Sequence, residues 1–175
     1  MGEFFANYGH TLVFFHVLSA FIWIGGMIAM RVAVHPVIAR GGITPAQMLL
    51  SDKIADILEP KQRLGITLQT VGRLFNLVMP FMIILFATGL MMAISLGGHH
   101  GELKTLFVSK EIIWTMMAMN YGYMYYKRAT AWKMFNQGQV KEAKARMKWM
   151  ANVLLPLNII LGLVALWMGV SLRGL

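Results

Sequence analysis

Apolar residues run along the chain in four long blocks, near 11–35, 74–96, 106–127 and 150–172, with polar residues gathered between them. Each block supplies the roughly 20 residues of helix that cross a hydrocarbon core of about 30 Å. No polar insert is large enough for a second domain. The pattern therefore predicts one all-α domain over 1–175, an integral membrane four-helix bundle. Inside the blocks the period is helical. His16, Ala20, Trp23, Met27 and Met30 share one face of the first block, and Lys110, Trp114, Met117, Tyr121 and Met124 share one face of the third. The third block is the most polar, because Lys110 and Glu111 fall inside it.

The polar stretch after the first block has its own pattern. Thr44-Pro45 reads as an N-cap with proline at the first helical position. Leu50, Ile54, Ile57 and Leu58 then give one apolar face, which predicts an amphipathic interfacial helix between the first and second spans. Pro60 ends it, and from Lys61 a helical pattern runs on into the second span, with Arg73 at its interfacial entry. The pairs Gly25/Ala29, Gly89/Ala93 and Ala165/Gly169 have the small-residue spacing of close helix packing.

Composition sharpens this reading. Hydrophobic residues make up 58% of the chain and charged residues only 13%, about half the share of a soluble domain. Cysteine is absent, which excludes disulfides, iron–sulfur clusters and thiolate-held metals. The net charge is +9, but the cations gather in two connecting stretches. Arg40, Lys53, Lys61 and Arg63 lie in 36–72; Arg128, Lys133, Lys141, Lys144, Arg146 and Lys148 lie in 128–149. That placement points to membrane lipid as the partner and away from nucleic acid. By the excess of Lys and Arg on cytoplasmic loops, both termini are expected outside, on the periplasmic face of a bacterial inner membrane. The N-terminal residues lack a basic leader and, with Ala6 at the sixth position, a myristoylation signal, so the first block is read as a span that stays in place.

Polar side chains inside apolar spans are the candidates for chemistry. His16 offers an imidazole that can ligate haem iron or another metal, or that hydrogen-bonds a neighbouring helix. Lys110 either snorkels to headgroups or pairs with a carboxylate such as a porphyrin propionate. Arg31 has the same two choices at the inner end of the first span. His10, His99 and His100 gather at the outer end, with methionines nearby, as an alternative copper site; His35, before Pro36, ends the first helix. The 16 methionines read either as adaptable packing or as thioether donors. No phosphate loop, carboxylate pair or Ser/His/Asp set is visible, which argues against hydrolase or nucleotide chemistry.

The run His16, Trp23, Gly26 and Arg31 resembles the first helix of the HemJ and CopD-type membrane proteins. Arg73, Met79-Pro80 and Gly89 resemble that family's second helix, and Asn152 and Pro156 its closing segment. The resemblance implies a b-type haem and a protoporphyrinogen IX oxidase-like oxidoreductase that depends on a first-helix histidine and a lysine opening the third helix, here His16 and Lys110. Where the family carries further histidines in its third helix, this chain has Val108 and, later, Asn120 or Tyr121. On this reading His16 holds the iron, Lys110 steadies a tetrapyrrole carboxylate, and Trp23, Met27, Arg31, Trp114, Met117 and Tyr121 line the pocket. The expected partners are a tetrapyrrole substrate or a redox protein, in a homo-oligomer or a larger membrane complex. Two other functions stay open: CopD-like copper handling, and a cofactor-free subunit that packs a larger assembly.

Overall fold

The structure is a computed structural model that describes residues 2–34, 58–98, 100 and 104–171, with side chains from residue 7 onward. The expected surface helix around 45–57, together with His35 and His99, lies outside the described residues. Helix α1 spans Gly2–Ala29 and continues through a π-helical stretch, Met30–Val34. Helix α2 spans Pro60–Ser95 and α3 spans Lys104–Asn136. Helix α4, Val140–Trp149, runs through a second π stretch, Met150–Leu154, into α5, Leu155–Ser171. The result is four helical rods, with no strand among the described residues.

Local chemistry sets the ends of these rods. At the start of α2, Pro60 occupies the first helical position and the Gln62 side chain accepts the Glu59 backbone N–H at 2.9 Å. Proline therefore begins the second rod as well as ending the segment before it. Helix α2 closes on Gly97, whose φ of +63° lets Gly98 N–H reach back to the Ala93 carbonyl at 2.8 Å. Helix α3 closes the same way on Gly138, φ +81°, with Gln139 N–H on the Met134 carbonyl at 2.9 Å. The turn after α3 is short, so residues 128–149, expected as a basic loop, are instead the end of α3 and all of α4. In the last rod Pro156 lacks an N–H and crowds the turn before it. The helix widens there, with Leu155 N–H bonding the Met150 carbonyl.

Each rod packs against its neighbours in sequence, and α1 also packs against α5, which closes the bundle. The facing residues give an antiparallel register. Gly26 of α1 meets Leu74 and Val78 of α2, and His16 meets Thr88. On α2 and α3, Phe75 faces Tyr121, Phe86 faces Trp114, and Leu68 faces Arg128. Gly162 of α5 sits between Ile24 of α1 and Met117 of α3. The core built this way includes Trp23, Met27, Leu68, Val78, Met117, Tyr121 and Met124. The expected inward stripes of α1 and α3 are thus the ones that face the core.

Three rods, Asn7–Val34, Pro60–Ser95 and Val140–Ser171, are long and apolar enough to cross a membrane. Their outer surfaces are large and apolar, among them Phe21, Ile83, Ile160 and Trp167, as lipid contact requires. Helix α3 has the length but is more polar, carrying Lys110, Glu111, Asn120 and a run of tyrosines. At 36 residues, α2 is about 54 Å long at 1.5 Å per residue, well beyond the apolar thickness of a bilayer. Its first turns pack with the end of α3 and with α4 over a small core of Leu64, Leu68, Ala131, Ala143 and Met147.

Candidate functional site

His16 lies half-buried on α1, and its seat is made by α2. Gly89 leaves room for the ring: a Cβ there would stand 3.2 Å from His16 Cε1. One turn of the neighbouring backbone holds Thr88, whose hydroxyl is 3.0 Å from His16 Nδ1. The same hydroxyl is placed to donate to the backbone of its own helix, 2.7 Å from the Ile84 carbonyl and 3.2 Å from that of Leu85. In the tautomer with the proton on Nδ1, Thr88 accepts from His16 and the Nε2 lone pair is left for a ligand. A donor N–H pinned to an oxygen, with the opposite nitrogen open, is how ligating imidazoles are held.

Lys110 stands at the same level. Its Nζ reaches toward Gly169 of α5, 3.3 Å from where a Cβ would be, and the ammonium is close enough to act electrostatically on the His16 ring. Among the described residues no carboxylate pairs with it. The layer thus takes one cation and one imidazole from the diagonally placed α1 and α3, and one glycine from each of α2 and α5. Gly89 and Gly169, read from spacing as plain packing residues, are the recesses that admit the two polar side chains.

Donors without acceptors cluster around this layer. Ser19 Oγ and Trp23 Nε1 on α1, and Trp114 Nε1 on α3, are buried with no hydrogen-bond partner. All three lie within two helical turns of His16 or Lys110. A buried donor left unmet costs about 1–3 kcal/mol, so three of them beside the Lys110 ammonium describe a place where the described residues are short of acceptors. Ser95 Oγ, farther out on α2, and Arg63 Nε, at the far end of that helix, are the other two such atoms among the described residues.

The remaining sequence candidates divide into two groups. Trp23, Met27, Met117 and Tyr121 are in the packed core, and three of them have visible structural roles. Met27 Sδ accepts from Asn158 Nδ2 at 3.6 Å, Tyr121 donates to the Phe75 carbonyl at 2.6 Å, and Trp23 meets Tyr121 edge to face at 6.2 Å. Trp114 stacks on Phe86 at 4.3 Å. Arg31 is 15 residues along α1 from His16, about 22 Å at 1.5 Å per residue, and does not belong to the layer. His10 and His100 are exposed at the end of the bundle where α1 begins, and the described residues include no group of three His, Cys, Asp or Glu side chains placed to hold a metal.

Sequence reasoning passed over Thr88 and Asn158, and met Asn120 only as a position where the resembling family carries a histidine. The two asparagines could have been found as lone polar residues in apolar spans. Thr88 gave no signal, because threonine in a helix usually bonds its own backbone. A groove of about 280 Å³ runs along the outer face of α3 between Val108 and Met119, away from His16. No protein-family model, curated protein or solved structure matches the chain.

Proposed function

We propose that the chain is a redox protein of the bacterial inner membrane that binds one b-type haem through His16 Nε2, as its resemblance to the HemJ and CopD-type proteins implies. The observation that carries this reading is the contact of His16 Nδ1 with Thr88, which in the Nδ1–H tautomer leaves Nε2 of a half-buried imidazole for a metal. The donor set around it fits the group. Lys110 and the unmet N–H of Trp114 suit carboxylates, and a haem brings two propionates into a layer where no described residue supplies one. From Trp23 inward the bundle is filled by side chains, so the residues that would hold the macrocycle are those of the outer layer.

Bound haem supplies one-electron chemistry at a potential set by its ligands and surroundings. The chain's part is to orient the imidazole through Thr88, to offset propionate charge with Lys110, and to keep water from the layer with Phe86 and Leu85. A porphyrinogen substrate carries the same carboxylates and would use the same cation.

An absorbance spectrum of the detergent-purified protein, oxidised and then reduced with dithionite, tests the reading. The expected result is a Soret band with reduced α and β bands, one haem per chain, abolished in His16→Ala at unchanged helicity. A colourless protein from a haem-supplied host overturns it, and stoichiometric copper in that protein would turn attention to His10 and His100.

A further inference from the structure

The same register that aligns His16 with Lys110 aligns a second layer at the opposite end of the apolar slab. Gly26 opposite Leu74 brings Arg31 of α1 beside the turn of α2 that carries Arg73. Leu68 opposite Arg128 brings Arg73 close to the level of Lys127. The contact between Tyr123 and Trp149 places Lys148, the neighbour of Trp149, there as well. Every rod therefore contributes a cation to one belt. Glu59, Glu111 and Glu142, the acidic residues with described side chains, all lie more than a turn away along their helices.

One cation in this belt is held in place. Lys127 Nζ is 5.1 Å from the centre of the Tyr123 ring and 5.5 Å from that of Trp149, and the two rings meet edge to face at 6.0 Å. Tyr123 and Trp149 are 42% and 46% exposed, on the outer surface of the bundle. A lysine at a membrane boundary ordinarily swings its ammonium out to water. Here two ring faces fix it at the depth where tyrosine and tryptophan anchor among headgroups. No described carboxylate neutralises it.

We infer that the Lys127–Tyr123–Trp149 cage is a binding site for the phosphate of an anionic phospholipid in the leaflet at the basic end of the bundle. The phosphate meets the caged ammonium, with Lys148 beside it, and the acyl chains run along the apolar surface toward Met119 and Met116, both exposed on α3. A free phosphate could use the same charge, but only a lipid also uses the apolar surface and the rings.

The test is native mass spectrometry of the full chain in detergent, titrated with phosphatidylglycerol or phosphatidylcholine. Phosphatidylglycerol is expected to be retained about fivefold more strongly, the order of effect of one lysine at a charged surface. Lys127→Gln brings retention to the phosphatidylcholine level, Lys127→Arg restores it, and Lys144→Gln, on exposed α4 surface, leaves it unchanged. Trp149→Leu keeps every charge and still lowers the preference, because the ammonium is released. Equal retention of the two lipids overturns the site. So does an equal loss in Lys127→Gln and Lys144→Gln, which would mean diffuse charge attraction, and so does displacement of the lipid by millimolar inorganic phosphate.

Discussion

Two polar regions stand inside the same apolar bundle and differ in one respect. In the centre, the Asn120 amide donates to the Leu154 carbonyl at 2.9 Å and to Asn158 Oδ1 at 3.1 Å. Asn158, 0% exposed, donates in turn to Met27 Sδ, and Tyr121 donates to the Phe75 carbonyl. That network ties α1, α3 and α5 together and fastens α3 to the stretch of α2 just before Pro80. Its donors have acceptors within the protein. Toward the end of the bundle where α1 begins, His16, Lys110, Ser19, Trp23 and Trp114 gather, and the described residues supply no acceptor for Ser19, Trp23 or Trp114. Burial and polarity are similar in the two regions. What separates the structural polar cluster from the proposed ligand site is whether its hydrogen bonds are complete.

Substitutions can break this contrast or sharpen it. The largest effect is expected at His16, where alanine removes the haem spectrum and leaves the fold, since the imidazole is only half-buried. Thr88→Val keeps the shape of the side chain and removes the acceptor for Nδ1–H. It should weaken haem retention by about 10- to 100-fold, the usual range for losing the group that orients a ligating histidine; Thr88→Ser should retain haem. Competition with apomyoglobin measures both. If Thr88→Val holds haem as tightly as the parent, Thr88 does not position the ligand.

The central network should respond in stability alone. Asn158→Leu removes one acceptor of Asn120 and the donor to Met27, for a loss of about 1–2 kcal/mol in SDS-titration unfolding from micelles. Haem content should stay at the parent level, and a coloured protein turned colourless by Asn158→Leu would erase the distinction between the regions. Tyr121→Phe is the smallest change, about 1 kcal/mol in the same assay. It exposes the Phe75 carbonyl near Pro80 without altering the packing of the ring.

Much of the fold was legible because lipid imposes a simple rule on sequence. A spanning segment must satisfy its own backbone, so long apolar blocks are helices. The stripes through Trp23 and Met27, and through Met117, Tyr121 and Met124, followed from the helical period and do face the core. The stretch 128–149 is helical although its charge suggests solvent: Arg128 turns in to the Leu68 carbonyl, and Lys133, Lys141, Lys144 and Lys148 cover the outside of helices whose buried sides include Ala131 and Ala143. His16 and Lys110 could each be singled out as polar residues in apolar surroundings.

Their juxtaposition could not. By itself the sequence determined that the chain is helical, that it is built for a membrane, and which faces of its helices turn inward. These are properties of one helix at a time, set by hydropathy and a period of 3.6 residues. The tertiary structure decided that His16 and Lys110 share a layer, that Gly89 and Gly169 open recesses for them, and that Thr88 meets His16 Nδ1. It also decided that Arg31, on the same helix as His16, belongs to the opposite end with Lys127. Those facts depend on the register between antiparallel helices, which is fixed by the fit of Gly26, Gly162 and the buried aromatics into neighbouring surfaces and is written in no single segment of the chain.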